Sequence, residues 1–207
     1  IYYQYGDDCF YVYKGDADVA TFQALGKGFA KDSKTVYYRG NSVPGVDTRS
    51  FEAIDETHAK DKQSVYLISP NRNAYIINGA DPKTFEVLSG KYGRDKNTGF
   101  YSLDLIQGSH GLSFESVPGD VTSTGVYAKD RFLVYWHDRV IVGADDPKTF
   151  SPYPGSDEIS HDAKNVYLFN SVVVNADPES FEVLEKRVPA LNCSTYKDRS
   201  RVFLNRN

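Results

Sequence analysis

The chain holds no methionine, one tryptophan, two cysteines and four histidines in 207 residues. Each scarcity narrows what it can be. Without a Met at position 1, the numbering is expected to begin inside a longer precursor, after a removed signal peptide or a further N-terminal segment. The two cysteines, Cys9 and Cys193, sit near opposite ends, which is compatible with an oxidising compartment. The histidines, His58, His110, His137 and His161, show no ligand spacing of the His-Glu-x-x-His kind. No Gly-rich phosphate loop is present, and Ser109-His110 lacks the Gly-x-Ser-x-Gly frame of a nucleophile turn. No apolar run approaches about 18 residues, so no helical membrane span is expected. Charge of neither sign dominates. The formal net charge is -4, with acids and bases interspersed. That leaves no basic stripe for a nucleic-acid backbone and no polybasic membrane anchor. Neither a cofactor nor a nucleic-acid partner is expected.

What the chain has in abundance is aromatic and repeated. Tyr (16) and Phe (12) supply nearly all of a 14% aromatic share, and Tyr, Phe, Val and Thr favour strands. Ala59-Lys60-Asp61-Lys62-Gln63-Ser64-Val65-Tyr66 is echoed at Ala30-Lys31-Asp32 through Tyr37 and at Ala128-Lys129-Asp130 through Tyr135. Ala80-Asp81-Pro82-Lys83-Thr84-Phe85 is echoed at Asp146-Pro147 and at Asp177-Pro178. The marker aspartates Asp32, Asp61, Asp95, Asp130, Asp162 and Asp198 are spaced 29, 34, 35, 32 and 36 residues apart. Such spacing falls among solenoids, propellers and arrays. An aromatic follows each marker by five residues: Tyr37, Tyr66, Phe100, Tyr135, Tyr167 and Phe203. Asp8 and Tyr13 obey the same offset.

Each repeat reads as a strand ending at the marker, a polar turn, a Val-Tyr strand, a second turn and a return strand. An Asp-Pro element closes it. Asp81, Asp146 and Asp177 cap the next N–H groups, Pro fills the first helical position, and one turn brings Phe85, Phe150 or Phe181 back under the sheet. A short strand such as Glu86-Val87-Leu88 then leads into the next repeat. The pattern predicts an all-β chain of tandem β-hairpin repeats, about 30–36 residues each. Single helical turns mark Asp-Pro-x-x-Phe, and the repeats stack as a curved, propeller-like or solenoid array. Residues 1–207 read as a single repeat domain, with units near 1–25, 26–54, 55–88, 89–117, 118–153, 154–184 and 185–207. Both end units are incomplete. If the array closes on itself, Cys9 and Cys193 approach, and a Cys9–Cys193 disulfide becomes an expectation to check.

The run Lys31-Asp32…Val36-Tyr37-Tyr38, with Lys60-Asp61-Lys62…Val65-Tyr66, Arg94-Asp95-Lys96-Asn97…Phe100-Tyr101 and Asp162…Asn165-Val166-Tyr167, resembles the DKNYY family of bacterial repeat proteins. The resemblance implies an exported or envelope-associated protein, in the periplasm, at the cell surface or secreted. It implies no general activity and carries over no catalytic residue. The missing Pro after Asp18 and Asp47 departs from the pattern and weakens those caps.

Several residues invite chemistry. Asp95-Lys96-Asn97-Thr98-Gly99 looks like part of a calcium loop. Lys fills an intervening position, no closing carboxylate follows, and the aspartate reads better as a turn cap. A glycosidase pair would have to come from the non-repeating acids Glu56, Asp104, Asp120 and Glu158, which loop solvation explains equally well. Tyr37, Tyr66, Tyr135 and Tyr167 read as core ladder residues with hydroxyls reaching the rim. Asn192-Cys193-Ser194 fits a glycosylation pattern that a bacterial source would usually not use. The off-pattern tip Trp136-His137-Asp138-Arg139 carries the only Trp beside an Arg, two types enriched at binding hot spots, and is the candidate contact surface. The expectation is a non-enzymatic exported module that binds another protein or sits in a membrane-associated envelope complex. The alternatives are a glycan-binding module using exposed Tyr and Trp, or a hydrolase on a propeller-like fold.

Overall fold

The computed structural model describes residues 2–5, 9–12, 17–69, 71, 73–118, 126–154, 156–188 and 193–206. Short antiparallel strands build it. Gln23–Gly26, Phe29–Lys31, Val36–Tyr38 and Asn41–Val43 pair in that order into a four-stranded meander. The same order recurs at Glu52–Ala53, His58–Lys60, Val65–Ile68 and Ala74–Ile76. It recurs again at Glu115–Ser116, Tyr127–Lys129, Val134–Trp136 and Arg139–Val140. A further copy comprises Ser151–Pro152, Ile159–His161, Val166–Leu168 and Ser171–Val172. Glu86 pairs with Arg94 and Val87 with Gly93. Tyr2–Tyr5 pairs with Cys9–Val12, and Glu182–Val188, Cys193–Lys197 and Val202–Arg206 form a three-stranded sheet. The chain is therefore all-β and built of hairpins. Its one helical element among the described residues is a 3-10 turn at Gly111–Ser113.

By contacts the chain divides into two compact units. One comprises 1–87, 93–96 and 102–105; the other comprises 88–92, 97–101 and 106–207. In the first, Phe29, Val36, Tyr38, Val43, Phe51, Tyr66 and Ile68 form the core. In the second, Val126, Tyr127, Val134, Ile141, Phe150 and Tyr167 form one cluster. Tyr92, Ile106, Phe114 and Tyr135 form another, and Ile159, Val166, Phe181 and Tyr196 a third.

The central strands explain the repeat consensus. Val-Tyr is buried on both faces, as in Val36-Tyr37, Val65-Tyr66, Val134-Tyr135 and Val166-Tyr167. A strand buried on both sides needs a continuous apolar run rather than alternation. Across from each tyrosine sits a small residue: Ala30, Ala59, Ala128 or Ser160. That small partner leaves room for the phenol ring.

The closing element also forms as read. Thr84 and Phe85 donate their N–H groups to the Asp81 carbonyl at 3.1 and 3.0 Å, closing one turn. Thr149 bonds Asp146 at 3.2 Å, and Ser180 bonds Asp177 at 3.3 Å. Phe85, Phe150 and Phe181 are buried. The turn survives without Pro: Thr21 still donates to the Asp18 carbonyl at 3.2 Å.

The sheet boundaries differ from the repeat boundaries read along the sequence. The short strand after each Phe is the first strand of the next sheet. Glu52 pairs with Lys60, Glu115 with Lys129, Ser151 with His161 and Glu182 with Lys197. The Asp-x-x-Thr/Ser-Phe turn bends the chain off one sheet and delivers it to the edge of its successor. Each repeat is thus completed by its predecessor, which no single repeat could do alone.

Candidate binding surface

Each marker aspartate is a clamp. In Asp32, Asp61, Asp130, Asp162 and Asp198, Oδ1 accepts the N–H groups two and three residues on, at 2.7 to 2.9 Å. That is the turn cap foreseen from the sequence. Oδ2 has two further duties. It accepts the hydroxyl of the tyrosine five residues on, at 2.6 to 2.8 Å for Tyr37, Tyr66, Tyr135 and Tyr167. These hydroxyls therefore turn inward to a buried carboxylate, not to the rim. It also accepts the backbone N–H of the capping residue before it. Asp18 donates to Asp32, Asp47 to Asp61 and Asp81 to Asp95, each at 2.9 Å, and His110 to Asp130 at 2.8 Å. A second thread runs beside the first. The hydroxyls of Thr21, Ser50, Thr84 and Ser180 bond the capping aspartate and accept the N–H just after the marker.

Burial works to raise the marker pKa values, and the hydrogen bonds outweigh it. Asp32 is held down at about 2. Asp61 and Asp130 lie below the usual carboxylate range for the same reason. In return Tyr66 is pushed up to about 12, by burial first and by Asp61 second. In these clamps the marker carboxylates and the paired tyrosine hydroxyls are taken up in closing the hairpins.

The remaining candidates sort quickly. Ser109 donates its hydroxyl to the Ile106 carbonyl at 2.7 Å and accepts the Gly99 N–H at 2.8 Å, while the His110 ring bonds Ser113. Ser109 and His110 thus bond to other partners and not to each other. His58 bonds Asp55 at 2.9 Å, and the His161 ring lies against Tyr153. Glu56 and Asp104 are exposed, and Glu158 uses its backbone carbonyl to accept the Phe169 N–H. Among the described residues no three His, Cys, Asp or Glu side chains converge on a metal position. Asp120 and Asn192 lie outside the described residues. So do the side chains of Cys9 and Cys193, and with them the bridge expected between them.

Trp136-His137-Asp138-Arg139 belongs to a wider arrangement. His137 stacks on Trp136 with ring centroids 4.2 Å apart, and on Tyr101 at 4.9 Å. Phe169 leans on Trp136 at 5.1 Å. Tyr101, His137, Trp136 and Phe169 so form one aromatic row, all half-buried. His137 and Phe169 take positive φ angles of 56° and 55° at their hairpin turns. That backbone is unfavourable for bulky residues and holds both rings in the row. The Trp136 N–H donates to the Asp157 carbonyl at 3.0 Å, so Trp136 is anchored and not largely exposed. Asp138 and Arg139 stand outside the row, with side chains 57% and 68% exposed and loosely paired at 4.0 Å. Burial, assisted by the charges of Lys91 and Arg139, pulls the His137 pKa below its ordinary value against Asp138 and Asp157. The row is therefore uncharged at neutral pH. The sequence singled out Trp136. Tyr101 and Phe169 come from neighbouring hairpins, and their place in the row follows only from the fold.

A contrast nearby yields a test. The Tyr92 hydroxyl donates to the Val126 carbonyl at 2.6 Å. The Tyr127 and Ser160 hydroxyls are buried and lie near each other, but neither reaches a partner in hydrogen-bond geometry among the described residues. An unsatisfied buried hydroxyl costs about 1–3 kcal/mol. Tyr127→Phe should therefore leave stability unchanged or raise it by about 1 kcal/mol. Urea denaturation checks this, and a clear loss would reveal a partner for that hydroxyl.

The fold and these sites define a class: an all-β repeat protein whose hairpins are locked by buried aspartate clamps, without a helix long and apolar enough to cross a membrane among the described residues. One comparison adds a family match over part of the chain. Residues 2–70 match the family model described as DKNYY family, so the resemblance carried by the Lys-Asp…Val-Tyr runs holds over that stretch. No curated protein and no solved structure matches the chain.

Proposed function

We propose that this chain is a non-enzymatic binding module, exported and envelope-associated, whose contact surface is the row Tyr101–His137–Trp136–Phe169 with Asp138 and Arg139 at its edge. The observation that carries this reading is the row itself. Aromatic rings from three hairpins are held half-buried, two of them by unfavourable backbone, beside an exposed Asp–Arg pair. Preorganised aromatics with a charged rim are the make-up of protein hot spots. The exported setting rests on the family resemblance alone. A protein partner is favoured over a glycan because sugar stacking needs an open aromatic face. His137 and Phe169 both lie against the Trp136 ring, and His137 lies against Tyr101.

The test is a crosslinking pull-down from the native source, run with the natural chain, with Arg139→Ala, and with Trp136→Ala/Arg139→Ala. Arg139 is exposed and its replacement leaves the fold alone. Capture should fall severalfold for Arg139→Ala and be lost for the double variant, with the urea midpoint recorded for each. Unchanged capture by the double variant would sink the proposal. Glycan-array binding that depends on Trp136 would move the partner class to carbohydrate.

A further inference from the structure

The cross-strand pairs of the repeats contain two exceptions, Ser151 opposite His161 and a lysine with no acid opposite it. Where the first strand of a sheet meets the second, an acid faces a base. Glu52 faces Lys60 at 3.6 Å, Glu86 faces Arg94 at 2.7 Å, Glu115 faces Lys129 at 3.6 Å and Glu182 faces Lys197 at 3.1 Å. At the same register Lys31 faces Gln23. Among the described residues its ammonium makes only long contacts, 3.5 and 3.4 Å, to the carbonyls of Arg49 and Phe51. A second departure lies beside this lysine. Thr48 follows the capping Asp47, where Pro82, Pro147 and Pro178 follow theirs. Both departures line one open cleft of about 330 Å³, together with Arg49 and Ser33 and with Asp32.

We propose that this cleft binds a tetrahedral oxyanion, a phosphate ion or the phosphoryl end of a larger molecule. The reasons are the donors and their freedom. Lys31 lacks the carboxylate its counterparts have. Among the described residues no side-chain partner holds the guanidinium of Arg49, the amide of Gln23 or the hydroxyl of Thr48. Two full positive charges and two neutral donors therefore face one space. The acids nearby are Asp18, Asp32 and Asp47, and each is already engaged. Asp18 accepts from the Ala20 N–H and from the hydroxyls of Thr21 and Ser33. Asp32 accepts four hydrogen bonds, from Asp18, Lys34, Thr35 and Tyr37. Asp47 is paired with Lys62 at 2.9 Å and bonded by Ser50. Arginine and lysine together suit an anion of this shape, one as a planar fork and the other as a point charge. The cleft exceeds the size of a bare phosphate, which leaves room for what the phosphoryl group is attached to.

The test is a titration of isotope-labelled protein with inorganic phosphate and, separately, with glycerol 1-phosphate, at constant ionic strength made up with chloride. Amide shifts should saturate at Gln23, Thr48 and Arg49. Tighter binding of the ester assigns a larger phosphorylated ligand, and equal binding assigns the free ion. Gln23→Glu supplies the carboxylate that four other repeats place against their cation and should weaken binding at least tenfold. Gln23 is exposed, so the fold is spared. Arg49→Gln should weaken binding as well, while Lys60→Gln, a cation in its own ion pair, should change nothing. Shifts that follow chloride without saturating, or an unchanged affinity in Gln23→Glu, would overturn the proposal.

Discussion

Asp130→Ala is expected to destabilise the protein by about 3–5 kcal/mol. The carboxylate is 3% exposed. It accepts from Phe132 at 2.8 Å, Leu133 at 2.9 Å, Tyr135 at 2.8 Å and His110 at 2.8 Å. Hydrogen bonds to a charged group contribute about 1.5–3 kcal/mol each, and losing the acceptor leaves several donors without a partner. Tyr135→Phe removes one donor and keeps the ring, so it should cost about 1–2 kcal/mol. Urea denaturation of the three proteins should give that order. A loss below about 1 kcal/mol for Asp130→Ala would show that the clamp is not a main source of stability.

The clamps also set the response to acid. Their folded pKa values lie below the unfolded ones, near 2 for Asp32 and lowered for Asp61 and Asp130. A depressed carboxylate contributes stability that is fully present above the unfolded pKa of about 3.9 and is lost as pH falls through the folded value. The urea midpoint should thus hold down to about pH 5 and fall steeply between about pH 4 and 2. Asp130→Asn should show a shallower fall, because one of the titrating clamps is gone.

The sequence displayed the frame of this fold because the frame is chemical. Asp before a polar turn, a small residue opposite Tyr, and Pro at the first position of a turn are each required locally, so they recur and can be read. The double duty of Oδ2 was harder to see. A hydroxyl's target depends on where the next strand returns, which no local rule states. One signal was present: Asp18, Asp47 and Asp81 each precede their marker by 14 residues. That constancy marks a bond between the two aspartates. It fails at His110 and Asp177, where longer connections intervene. Trp136 was legible as an off-pattern residue. Tyr101 and Phe169 were not, because they sit at ordinary repeat positions and gain their place only when hairpins lie side by side. The Lys31 cleft was written in the sequence as two exceptions, Gln23 and Thr48, but only strand register brings them together.

Phe114 offers the sharpest conflict between repeat consensus and local packing. Its ring is fully buried, edge-on to Tyr92 at 5.9 Å and tilted against Tyr135 at 5.6 Å. Truncation to Ala should cost about 3–5 kcal/mol, and the same change at Phe181, packed against Tyr153 and Tyr196, should cost as much. Gly99 stands where the other repeats carry Val36, Val65, Val134 and Val166. Consensus reasoning would make Gly99→Val stabilising. The geometry says otherwise: a Cβ at Gly99 would lie 2.5 to 2.6 Å from three ring carbons of Phe114. The ring occupies the space that Val fills elsewhere, so Gly99→Val should destabilise by about 1–3 kcal/mol through overpacking. The two substitutions should then compensate each other. Gly99→Val/Phe114→Ala places a branched side chain into part of the cavity, so its loss should be smaller than the sum of the single losses by about 1–3 kcal/mol. A double-mutant cycle by urea denaturation measures that coupling. Strict additivity would mean that Phe114 does not fill the place of the missing valine.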